Sequence, residues 1–72
     1  MVLQIHKVHT LGTTSKALVF KPTREHPSLS TVVHSTEIDC YDQLTPGVMV
    51  DARGTLDPEP FLRLKSIKVV LS

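Results

Sequence analysis

A single cysteine, Cys40, is the only thiol in the 72-residue chain, so no internal disulfide can brace it. Aromatic residues are nearly as scarce: Phe20, Tyr41 and Phe61 are all there are. Glycine is sparse too, with Gly12 the only one before residue 47. No G-x-G-x-x-G or P-loop spacing exists, and no nucleotide cradle follows from the glycines present. Long apolar runs are absent, which argues against a membrane span. No basic opening leads into an apolar stretch, so a signal peptide is not expected. No segment repeats apolar residues every three to four positions over ten or more residues, so no amphipathic helix is predicted. Internal repeats and low-complexity tracts are missing as well.

Seventy-two residues form one domain, spanning 1–72. A chain of this size buries only about 60% of its unfolded surface. Small scaffolds usually lean on a disulfide, a metal or a second copy. With the first excluded and no metal-ligand spacing present, a homo-oligomer, most simply a homodimer, is expected. The lone thiol suggests a reducing, cytoplasmic setting. Net charge is +1, but its distribution is uneven. Residues 1–24 carry Lys7, Lys16, Lys21 and Arg24 and no acid. Residues 37–59 carry six acids against Arg53, and residues 60–72 carry Arg63, Lys65 and Lys68. Basic flanks around an acidic middle can fold into one positive face, suited to a polyanion, or into a mixed solvated surface.

The strongest local text is at the end. Asp42-Gln43-Leu44-Thr45-Pro46-Gly47 is a turn with Pro and Gly at the central positions of type II geometry. Val48, Val50 and Ala52 then alternate with Met49, Asp51 and Arg53, as one strand with one buried face. Gly54 breaks that pattern, marking a bulge or a close backbone approach. Asp57-Pro58-Glu59-Pro60 reads as a stiff connector. Leu62 and Leu64 face the core, and beyond Ser66 the apolar register moves to Ile67, Val69 and Leu71. A slip or bulge near Ser66 is therefore predicted.

Earlier, residues 2–9 form a strand in which Leu3 and Ile5 share a face and Val8 does not, requiring a bulge near His6–Lys7 or a two-sided strand. Residues 11–15 are loop. Lys16 to Lys21 reads as a strand buried on both sides, ended by Pro22. Thr23 to Ser30 reads as an exposed loop. Thr31 to Tyr41, rich in β-formers, reads as a strand with Val32, His34, Thr36, Ile38 and Cys40 on the inner face. Five short strands predict an all-β class and a small five-stranded antiparallel barrel. The oligonucleotide/oligosaccharide-binding (OB) kind and an SH3-like barrel both fit.

The phrase Thr45-Pro46-Gly47-Val48-Met49-Val50, followed by Phe61-Leu62-Arg63-Leu64-Lys65-Ser66-Ile67-Lys68-Val69, resembles the closing hairpin of small OB-fold proteins. More narrowly, it is similar to the end of the filamentous-phage single-stranded-DNA-binding proteins. The opening Met1-Val2-Leu3-Gln4-Ile5-His6 resembles that family's first strand. The resemblance covers about half the chain. It implies binding of single strands by a cytoplasmic, dimeric phage-type protein.

A binder of single strands needs cations for phosphates and flat faces for bases. Lys16, Lys21, Arg24, Arg63, Lys65 and Lys68 are the candidates for phosphate contacts, with Tyr41 and Phe61 for stacking. On a regular strand Phe61, Arg63 and Lys65 share a face opposite Leu62 and Leu64. Phe61 either stacks there or caps the barrel end; Phe20, among apolar neighbours, belongs to the core. His6 and His9 point oppositely on a strand and do not share a metal. His34 and Cys40, six apart on one face, stand about 20 Å from each other and cannot exchange a proton. No catalytic residues, no cofactor and no metal are expected. A non-catalytic module that holds single-stranded nucleic acid, most simply DNA, is the first expectation. A protein-interaction module that assembles through a sheet edge is the second.

Overall fold

Apolar and polar residues alternate through most of this chain, and the computed structural model turns each alternating run into a strand. It describes residues 1–56 and 61–70. The strands are β1 (Val2–Leu11), β2 (Ser15–Phe20), β3 (Ser30–His34), β4 (Met49–Leu56) and β5 (Leu62–Val69), with a short 3-10 turn at Tyr41–Gln43. The class is all-β. The expected connector at residues 57–60 and the register position of Leu71 lie outside the described residues.

All five strands pair antiparallel in one sheet of order β3-β2-β1-β4-β5. The sheet curls until its outer strands touch at a parallel bridge between Ser30 and Phe61. Beside that bridge the buried Thr31 hydroxyl donates to the Leu62 carbonyl at 2.7 Å. Among the described residues no ladder between β3 and β5 continues beyond this point, so the outer strands meet at this one bridge.

The irregularities fall where the side-chain pattern asks for them. In β1 the pairing with β2 shifts between Ile5 and Lys7. That shift lets Leu3, Ile5 and Val8 all turn toward the core, with Val8 opposite the buried Leu18. Between β4 and β5 the shift falls at Arg53/Gly54, where Arg53 faces Ser66 and Gly54 faces Leu64. Lys65 is thus the extra residue, and the apolar register passes from Leu62 to Ile67 across it. Gly47 sits at φ 92°, and Val48 N–H donates to the Thr45 carbonyl at 3.2 Å. These are the marks of the type II turn that Pro46-Gly47 predicts.

Four expectations are corrected. The strand expected at Thr31 to Tyr41 stops at His34 and gives way to turns and the Tyr41–Gln43 coil. Within β3 the inner face is Thr31 and Val33, while Val32 is half-buried and His34 exposed. β2 is buried on one face only, at Leu18 and Phe20, with Ala17 and Val19 half-covered on the other. Two core residues come from segments read as loop and turn: Leu29 before β3 and Leu44 after the 3-10 coil are both buried. Both belong to the same core cluster as the inward residues of the strands.

Candidate nucleic-acid interface

Leu62 and Ile67 anchor β5 in the core, and this fixes what the strand presents outward. Leu64 is half-buried, whereas Arg63, Lys65 and Lys68 are exposed. Phe61, the residue before β5, keeps 46% of its surface exposed although its backbone forms the closing bridge with Ser30. The ring therefore does not cap the core. Phe20 does enter it, at 1% exposure.

A cleft of about 900 Å³ opens where β3 and β5 part. Residues 61–69 form one wall, β3 the other, and the segment from Glu37 to Gln43 its end. Arg63, Lys65 and Lys68 line the first wall, and Glu37 and Asp39 line the same cleft from the 37–43 segment. The Cys40 thiol donates weakly to the Ile67 carbonyl at 3.8 Å, tying the 37–43 segment to β5. Cys40 is half-buried against the core. His34, by contrast, is bonded through Nδ1 to the Ser15 hydroxyl at 2.7 Å. The straight strand assumed to separate His34 and Cys40 does not exist, and these two side chains have different partners.

Among the described residues the ion pairs both centre on Asp51, which meets the Met1 ammonium at 3.1 Å and Arg53 at 3.9 Å. The hydrogen bond from that ammonium, helped by the positive charges of Met1, Arg53 and Lys68, holds the Asp51 carboxyl below the usual carboxylate range against an opposing effect of desolvation. Lys68 lies directly opposite Asp51 in the β4–β5 ladder. Arg63 and Lys65 have no ion-pair partner among the described residues.

The remaining candidate cations go elsewhere. Lys16 pairs with buried Val33 across β2–β3, so its side chain turns toward the core end. There its ammonium donates to the Tyr41 carbonyl at 3.0 Å and lies 4.3 Å from the centre of the Tyr41 ring. Lys16 and Tyr41 are thus engaged with each other. Lys21 is exposed just past β2, and its backbone N–H donates to the Gln4 carbonyl. Arg24 is exposed in a tight turn closed by Thr23 and His26, beside a shallow hollow shared with Met1 and Val2. The structure brings together Phe61, Arg63, Lys65 and Lys68, and leaves Lys16, Lys21, Arg24 and Tyr41 apart from them. The inward turn of Lys16 was readable, since Lys16, Leu18 and Phe20 share one face of a strand. The acidic lip at Glu37 and Asp39 was not, because a parallel approach of β3 to β5 leaves no local trace.

No family model matches the chain, and neither the curated proteins nor the solved structures contain a significant match to it.

Proposed function

We propose that this chain is a non-catalytic module that holds single-stranded nucleic acid along β5. Arg63, Lys65 and Lys68 engage backbone phosphates with little sequence preference, and Phe61 stacks on a base. The observation that carries this reading is the exposure of one aromatic ring and three cations along a single strand that borders an open cleft. The partly open five-stranded sheet is the kind of scaffold on which OB proteins bind oligonucleotides. The resemblance of the closing hairpin to the filamentous-phage proteins points the same way. Edge-paired assembly, the competing reading, has less support. On the outer edge of β5 the carbonyls of Leu62 and Ile67 already accept bonds from Thr31 and Cys40.

Three phosphate contacts to a single strand give a salt slope of about −2, by ~0.7 per contact. Fluorescence anisotropy of a labelled oligonucleotide at low salt measures it. Arg63→Glu with Lys65→Glu is expected to abolish binding for every sequence tested. Phe61→Ala is expected to cost ~1–3 kcal/mol, the range of one base–aromatic stack. Absence of binding at micromolar protein and low salt, or binding that ignores salt, would overturn the reading.

A further inference from the structure

The cleft beside β5 carries charge of both signs, and that charge is not cancelled within it. Arg63, Lys65 and Lys68 line it from β5, and Glu37 and Asp39 line it from the segment after β3. All of these residues are exposed. Among the described residues no ion pair joins either carboxylate to a cation of β5, so both sets remain open to a ligand. The carboxylates are nonetheless held in place. Ile38 and Cys40 alternate with them along the chain and pack against the core. The Cys40 thiol reaches the Ile67 carbonyl at 3.8 Å, and the Lys16 ammonium holds the Tyr41 carbonyl at 3.0 Å. Glu37 and Asp39 thus belong to an anchored segment, tied to the strand that carries the cations.

Such a lining suits a ligand that combines an anionic group with hydrogen-bond donors. With phosphates along β5, like-charge repulsion keeps them away from Glu37 and Asp39. What meets the carboxylates is then the edge of a base. A carboxylate can only accept hydrogen bonds. Cytosine N4, adenine N6 and guanine N2 are amino donors that a carboxylate pairs with. Thymine and uracil have no amino group, and their one N–H sits between two carbonyl oxygens that a carboxylate repels. The space is sufficient: about 900 Å³ lies within the range of about 300–1,000 Å³ for sites that enclose a small organic group.

We propose that Glu37 and Asp39 read the base edge of a strand held on β5, favouring bases with an exocyclic amino group over thymine and uracil. This rests on the nucleic-acid reading above and adds a base preference to it. Phosphate contacts fix position and carry no sequence information, whereas contacts to base edges do. Stacking on Phe61 tolerates any base, because every base has a flat face. The preference therefore resides in the two carboxylates and is separable from the affinity that the cations and the ring supply.

Fluorescence anisotropy of the full chain tests this with two labelled oligodeoxynucleotides of equal length at one low salt concentration, all cytosine and all uracil. The two bases are the same size and differ only at C4 and N3. The cytosine strand is expected to bind about fivefold tighter or more, the effect of one base-edge contact. In the double variant Glu37→Gln, Asp39→Asn that ratio should fall to about one. The ratio is the decisive quantity: if the carboxylates merely repel phosphates, the variant strengthens both strands equally and the ratio persists, which overturns the proposal. Equal affinities in the unaltered chain, or tighter binding of uracil, also overturn it and leave the nucleic-acid reading standing. Binding of neither strand overturns that reading, and this preference with it. Amide shifts in the unaltered chain decide the matter even where the variant fails to fold. The cytosine strand should move residues 37–39 as well as 61–68, and shifts confined to 61–68 count against the carboxylates.

Discussion

Gly54 shows what a single missing Cβ does for this sheet. A methyl group placed there would fall onto the Arg63 carbonyl oxygen, with the Leu64 Cα close behind. Both are backbone atoms of the neighbouring strand, so neither can swing aside as a side chain would. Gly54→Ala is therefore expected to force β4 and β5 apart at the bulge. The cost is about 1–3 kcal/mol, the usual range for overpacking a close contact. It should appear as a lower urea midpoint with an unchanged slope. A midpoint equal to that of the parent would show that the strands are free to separate there. This site was legible from both sides. A lone glycine interrupts the alternation of β4, and the apolar phase of β5 slips at Ser66. Those two anomalies are one feature, because Arg53 pairs with Ser66 and Gly54 with Leu64. Two independent breaks in period that meet across a ladder identify a bulge without coordinates. The burial of Leu29 had no such signature, since one leucine among Pro, Ser and charged residues shows no period.

Among the elements, the segment after β3 is the one that composition misrepresents. Thr36, Ile38 and Tyr41 favour strands, yet the strand stops at His34. The reason lies in its neighbour. His34 pairs with Ser15, the first residue of β2, and the β1–β2 turn occupies the residues before it. Ser35 N–H still donates to the Thr14 carbonyl, after which no strand remains to pair with. β-propensity expresses a fit to a pleated neighbour, and without one the chain turns. Its apolar residues, Ile38, Cys40, Tyr41 and Leu44, then pack against the core. Lys16 fastens this segment: its ammonium donates to the Tyr41 carbonyl and lies over the Tyr41 ring. Lys16→Met keeps most of the stem and removes the charge. The expected loss is about 1–2.5 kcal/mol, combining a hydrogen bond of ~0.5–1.5 with a cation–π contact of ~0.5–1. Thermal melting measures the total. Amide exchange should quicken in residues 38–44 and stay unchanged in β4. A uniform change across the sheet would mean that Lys16 supports the whole domain and not this segment.

At the scale of the whole molecule, the strand count and the antiparallel pairing could be read along the chain, whereas the segments that meet between β3 and β5 could not. The bridge joins residue 30 to residue 61, in parallel, and nothing in either segment's pattern names the other. The same long-range approach borders the cleft and brings Glu37 and Asp39 into one lining with the cations of β5. Charge convergence was therefore a guess about topology, and only the part confined to one strand, Arg63 with Lys65 and Lys68, followed from local order. Closure rests on few atoms. The Thr31 side chain, 2% exposed, sends its hydroxyl to the Leu62 carbonyl next to the bridge. Thr31→Val preserves the shape and deletes the donor, leaving a carbonyl without its partner at a buried joint. Such a loss costs about 1–3 kcal/mol. Chemical denaturation should show that decrease, and exchange at Leu62 and Val33 should rise ahead of exchange at Leu3 and Val50. Because Phe61 is held by the same joint, oligonucleotide affinity should weaken in this variant at temperatures where it remains folded. If stability falls while affinity holds, Phe61 and the cations of β5 act from an open edge, and the closing bridge serves the core alone.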